Sequence, residues 1–224
     1  MRAKQLHKQV AIMAAAVCMM VPMHAQAATL SGVDTYGMTA EIQTLMEDSH
    51  CMRKLPDTIL KIFAEEGGSI HIKSSLFKND TEAHGMYWAD GDKKNQIALS
   101  LRTVRDGFPH MMPYYFTHEI GHFIYSNAKM TEEQKAVLQG MHDRFKNYVV
   151  GDVSLAETFA DEYASFINDG GYNQSPEEQN MFKEVQQAMM DEYYAAHPEE
   201  EPEKWEPVIP LWMRNGPDLE AAGN

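Results

Sequence analysis

The sequence predicts an α+β domain: a small sheet or β-hairpin packed against one central helix and followed by a helical subdomain. Three observations carry this. Strand-like alternation is confined to residues 69–101, where Ile70 and Ile72, then Ile97, Leu99 and Leu101, take every second position. From Pro113 onward the apolar spacing becomes helical. At the boundary lies Phe116-Thr117-His118-Glu119-Ile120-Gly121-His122-Phe123-Ile124, apolar enough for a core yet carrying three ionisable groups.

Taken in order, residues 28–38 read as an ordered lead-in or a loose end, and Ile42, Leu45 and Met46 mark a short helix. Pro56 suits the first position of a second helix, with Ile59, Leu60, Ile62 and Phe63 apolar and Gly67-Gly68 as its stop. Ser69 to Lys73 is a strand. Residues 83–90 and 95–101 form a strand pair that turns through Asp90-Gly91-Asp92-Lys93-Lys94. A turn at Asp106-Gly107-Phe108-Pro109 precedes the central helix, which runs from about Pro113 to Asn127. The capping-box pattern Thr131-Glu132-Glu133-Gln134 opens a helix to about Tyr148, and Val149 to Val153 is a loop. Ser154 to Asn168 is a helix stopped by Asp169-Gly170-Gly171, and Ser175-Pro176-Glu177-Glu178 starts another that reaches Ala196. From His197 to the end the composition becomes Pro- and Glu-rich, an extended tail held by Trp205 and Trp212.

The first 27 residues are set apart as an export signal. Arg2, Lys4, His7 and Lys8 are a basic head, Val10 to Val21 an apolar run, and Ala25-Gln26-Ala27 a cleavage site. The expected mature chain, residues 28–224, is secreted or periplasmic, with the main domain over 28–196 and the tail over 197–224. No later apolar run reaches membrane length, so no stable membrane insertion is expected. The full chain carries a net charge of −14, and loss of Arg2, Lys4 and Lys8 takes it to −17. That charge argues against nucleic acid and anionic membrane surfaces as partners. Cys51 is left as a lone thiol, which excludes an intrachain disulfide and reads as a buried apolar group rather than a nucleophile.

The central helix carries the chemistry. His118 and His122 are four residues apart and share a helical face, where two neutral imidazoles can grip one Zn²⁺. Glu119 is one step round the turn, placed to take a proton from the water that the metal acidifies. Gly121 costs about 1 kcal/mol in a helix, so something must approach the backbone there. A catalytic zinc wants a third protein ligand, and Glu157 in Ala156-Glu157-Thr158-Phe159-Ala160-Asp161 is the best candidate. Asp161, on the same face, would orient one histidine through its far ring nitrogen. Competing readings are that Glu157 only caps its own helix after Ser154, and that Asp161 lies on a solvated face. His84 is a lesser candidate ligand at a strand start.

These residues resemble a family. His118-Glu119-x-x-His122 followed by Glu157-x-x-Ala160-Asp161 is the gluzincin pattern of zincin metallopeptidases. Its context is similar to the catalytic domain of anthrax toxin lethal factor and to the small secreted bacterial Pro-Pro endopeptidases of that fold. Leu55-Pro56, Gly67-Gly68-Ser69-Ile70, Gly85-Met86-Tyr87 and Gln96-Ile97-Ala98-Leu99 support the resemblance, which covers about residues 40–190. It implies a monomeric zinc metalloendopeptidase, with His118, His122 and Glu157 on the metal and Glu119 as general base. It also implies an edge strand within 83–101 that aligns an extended protein or peptide substrate. One position departs: the family's oxyanion-stabilising tyrosine, seven residues before the glutamate ligand, is Val150 here. Tyr148 is the nearest substitute, with His142 and Tyr163 as further donors. The alternative to an enzyme is a catalytically weak or inactive zinc-binding interaction module on the same fold.

Overall fold

The computed structural model describes residues 30, 32–49, 51–147 and 153–205. The segment expected to be an export signal, Tyr148, Val150 and Trp212 fall outside these residues.

The protein is a mixed α+β domain. Four strands form its sheet: β1 (Asp34–Tyr36), β2 (Ser69–Lys73), β5 (Gly85–Trp88) and β6 (Gln96–Ser100), in the order β1-β2-β6-β5. β1, β2 and β6 are parallel, whereas β5 runs antiparallel to β6 and forms one edge. The register Met86↔Ala98↔His71 puts these side chains on one face, and Ile70, Ile72, Ile97 and Leu99 on the other. The four aliphatics are buried, so that second face meets the core. A separate hairpin, β3 (Leu76–Lys78) with β4 (Thr81–Ala83), leads into β5. It turns at Asn79 and Asp80, with φ of 50° and 62°, as a two-residue primed turn requires.

Helices α1 (Ala40–Glu47), α2 (Asp57–Glu65) and the short α3 (Arg102–Arg105) surround the sheet. The central helix α4 (Met112–Asn127) lies between the sheet and α6 (Leu155–Asp169), with α5 (Glu132–Phe145) and α7 (Pro176–Ala196) behind. Phe116, Ile120, Phe123 and Ile124 of α4 are fully buried, and Phe63 of α2 meets Phe123 edge-on at 5.1 Å. The expected capping box of Thr131 with Gln134 forms at α5, and the Ser175 helix start proves to be a second one, with Glu178, at α7. Gly170, with φ 70°, closes α6.

The structure refines the sequence reading at three points. Residues 34–36 are no loose end but a strand held by parallel pairing to β2. The β3–β4 hairpin and α3 were not anticipated. The tail is held at its start by Trp205, as expected, and also by residue 203, because α2 has no side-chain cap of its own and borrows one there. Glu203 accepts hydrogen bonds from the backbone N–H of Asp57 (3.3 Å) and Thr58 (3.0 Å). Trp205 packs against Phe166 and donates its indole N–H to the Lys54 carbonyl at 2.7 Å. No described helix is long and apolar enough to cross a membrane.

Candidate metal centre

Helix α4 leaves one strip of its surface uncovered by the core, and the strip carries His118 and His122, whose side chains are 14% and 15% exposed. Their rings meet at 84° with centroids 4.8 Å apart, as side chains one turn apart can. His118, Glu119 and His122 offer ligand atoms that all lie within 4.8 Å of one another, a group able to hold a metal ion.

Helix α6 supplies the rest. Glu157 Oε2 lies 3.5 Å from His118 Nε2 and 3.5 Å from His122 Nε2, so three donor atoms from two helices converge. Asp161 Oδ1 is 2.8 Å from His118 Nδ1 and so orients that ring; the histidine it serves is His118. The capping question also resolves. Ser154 accepts the Glu157 N–H at 3.2 Å and caps α6 with its hydroxyl, while the Glu157 carboxylate faces the imidazoles.

What brings the helices together is Gly121. A Cβ at that position would sit 2.8 Å from the Ala160 Cα, so only glycine admits this crossing. Alanine in a helix normally gains about 1 kcal/mol over glycine. Overlap with backbone atoms costs more, typically ~1–3 kcal/mol. We therefore expect Gly121→Ala to lower the melting temperature rather than raise it, and to weaken metal binding by pushing Glu157 and Asp161 off the histidines. A raised melting temperature with unchanged metal affinity would contradict this account.

Glu119 is 4% exposed and faces the sheet edge. A Cβ on Gly85 of β5 would lie 2.4 Å from Glu119 Oε1, so the strand passes directly over the carboxylate. Burial pushes the Glu119 pKa up to about 7, with the neighbouring Glu157 charge adding to the rise. Hydrogen bonding from His118 and then His122 holds Glu157 well below the usual carboxylate range. Burial opposes charge on His118, but the hydrogen bonds to Asp161 and Glu157 outweigh it and carry its pKa up to about 10. In the absence of a metal, the site gathers positive charge between these carboxylates.

Several neighbours were not read from the sequence. Gly85 makes room for Glu119. Lys78, on the hairpin, donates to Glu157 Oε1 at 3.1 Å. Tyr87 of β5 lies parallel to the His122 ring at 6.4 Å, its hydroxyl donating to Asn95 Oδ1 at 2.8 Å. An Asn-Asp turn between short alternating runs was the available signal for the hairpin; nothing local marked Gly85.

Other expected roles find different places. Tyr163 is fully buried and gives its hydroxyl to Gln186 at 2.7 Å, away from the metal ligands, so it is no oxyanion donor. His142 is 4% exposed with Nδ1 engaged by Thr158 Oγ1 at 2.8 Å, a contact between α5 and α6 rather than with a substrate. His84 is not a ligand; its ring stacks on Tyr115 at 4.4 Å. No family model, curated protein or solved structure matches the chain.

Proposed function

We propose that the protein is an exported zinc metalloendopeptidase with a zincin-like fold, in which His118, His122 and Glu157 hold the metal and Glu119 is the general base. The observation that carries the reading is the convergence of Glu157 on both imidazoles. Donors bound at ~2.0–2.1 Å to a tetrahedral zinc ion lie ~3.4 Å apart; Glu157 Oε2 stands 3.5 Å from each Nε2. Both carboxylate–imidazole spacings therefore suit donors that share one zinc ion. Two imidazoles and one carboxylate also leave a fourth position open, which a structural site would fill.

When bound, zinc supplies Lewis acidity that polarises the scissile carbonyl and lowers the pKa of water. The protein does the rest. In the metal-free protein burial raises the Glu119 pKa to about 7, which makes this carboxylate a stronger base than an exposed glutamate. It accepts the proton as the water oxygen bonds to the carbonyl carbon, and returns it to the departing amine nitrogen as the C–N bond breaks. Asp161 holds the Nδ1–H of His118, so that Nε2 presents its lone pair to the ion. Among the described residues β5 is an edge strand beside Glu119, suited to aligning an extended substrate by strand addition.

Proton competition gives a first test of the ligands. His118 in the metal-free protein holds its proton up to about pH 10, and a metal needs that nitrogen neutral. Apparent zinc affinity should therefore rise with pH through the neutral range. Binding at pH 7 should release about one proton per ion, read from calorimetric enthalpies in buffers of different ionisation heat. No release would show that His118 is already neutral in the metal-free protein.

The deciding experiment is cleavage of a mixed peptide library by the zinc-loaded protein. Cuts that a chelator abolishes and zinc restores would establish the activity, and the new ends would show whether prolines are preferred. Absence of any cut from folded, zinc-loaded protein would favour a non-catalytic zinc-binding module, the reading that Val150 in place of the family's tyrosine supports.

A further inference from the structure

The face of the sheet turned away from the core is open and has its own chemistry. His71 and Lys73 of β2, Met86 and Trp88 of β5, Phe77 of the hairpin and Lys93 of the following turn border a groove of about 360 Å³. The aromatic and apolar groups are unusually available: Phe77 is 62% exposed, and Tyr36, stacked on His71 at 4.4 Å, is 53% exposed. Lys93 stands over the Trp88 ring at 5.0 Å. Burial, then the charges of Lys73 and Lys93, hold His71 below its ordinary pKa, so both ammonium groups are felt within the groove. Among the described residues none that lines it is acidic, in a chain with 33 acidic and 19 basic residues.

The groove is continuous with the metal centre through β5. Gly85 and Tyr87 point to the face where Glu119 and His122 lie, while Met86 and Trp88 point into the groove. The hairpin straddles the same edge, with Lys78 reaching Glu157 and Phe77 lining the groove. A polypeptide strand added to β5 must alternate in the same way. Every second side chain would then face the metal, and those between would enter the groove.

We propose that this groove is a specificity subsite for acidic side chains of the extended substrate, read at alternate positions by Lys73 and Lys93 beside the Met86–Trp88 surface. The proposal rests on the extended-substrate reading above. It requires an anionic occupant because the groove presents cations and apolar rings and offers no carboxylate of its own. The acidic start of the chain's own tail is engaged elsewhere, since Glu200 pairs with Lys61 and Glu203 caps α2.

Binding separates this proposal from the catalytic one. The full chain carrying Glu119→Gln, loaded with zinc, is titrated into a labelled peptide alternating Glu with Val, and into its Gln-for-Glu counterpart. The acidic peptide should bind more tightly, and Lys73→Gln with Lys93→Gln should remove roughly three- to ten-fold of its affinity, the scale of two exposed ion pairs. The preference should also shrink with added salt. Equal binding of the two peptides, or indifference to the lysine pair, overturns the proposal even if the wild type cuts peptides. Equal affinity for a peptide with its glutamates in one block overturns it too, by reducing the groove to an unspecific cationic patch. A lysine pair that alters self-association without affecting peptide binding assigns the groove to a second copy of the chain, and likewise overturns it. Lysine-dependent preference in a protein that cuts nothing leaves the groove standing and removes the peptidase reading.

Discussion

Glu119→Gln should reduce peptide cleavage by about 10²–10⁴-fold while zinc affinity and folding stay intact. The replacement has the same shape, so the fit beneath Gly85 is kept, where the carboxylate is 4% exposed and confined by the strand. What disappears is a base with a pKa of about 7. Removing a buried ionisable group also removes its desolvation cost, so the melting temperature should hold or rise. Zinc titration and turnover measured on one preparation check both halves. Retained turnover would make another group the base. Lost zinc affinity would place Glu119 among the ligands, which the shared 4.8 Å grouping with the histidines allows geometrically.

The largest loss of stability is expected from Phe159→Ala, about 3–5 kcal/mol. Phe159 is fully buried, with its ring centroid 5.6 Å from Tyr125, 6.2 Å from Tyr163 and 5.1 Å from Phe182. It therefore ties α4, α6 and α7 together. On α6 it lies two residues from both Glu157 and Asp161 and faces the opposite side, so the site is the outer surface of the same helix. Urea unfolding of the chelated protein should show a lower midpoint, with zinc affinity reduced because α6 no longer seats firmly. Glu157→Ala is the contrasting case: its side chain is 36% exposed, so the chelated protein should lose much less stability, only that of its contacts with His118, His122 and Lys78, while zinc binding fails. A Phe159→Ala protein as stable as the wild type would show that the aromatic cluster is not what holds these helices.

The legible parts of the site were those written within one helix. His118, Glu119 and His122 follow from spacing on α4, and Glu157 with Asp161 from spacing on α6. The choice of histidine served by Asp161 depends on how the two helices cross, and sequence showed only half of that contact. Gly121 announced a close approach but not Ala160 as its partner. Tyr163 and His142 were misplaced for a related reason: their polar atoms are satisfied by Gln186 on α7 and Thr158 on α6, partners that distance along the chain conceals. β1 was invisible because its three residues are all exposed and held by parallel pairing and the stacking of Tyr36 on His71, with no alternation to read. The hairpin strands are just as short, yet they carry Lys78 to the metal ligand and Phe77 to the groove.

The Glu203 cap on α2 gives the chain a timetable. Thr58 and Glu203 are 145 residues apart in sequence. At ordinary synthesis rates of ~5–20 residues per second, the carboxylate arrives about 7–30 s after the helix it caps. During that interval the first turn of α2 has exposed N–H groups, and Phe63 is pressing on Phe123 from a helix not yet secured. Helix α2, which packs on the segment that carries the histidines, thus acquires its cap only after residue 203 has emerged. A nascent chain interrupted before residue 203 would hold every metal ligand and still lack the closure that keeps them in register.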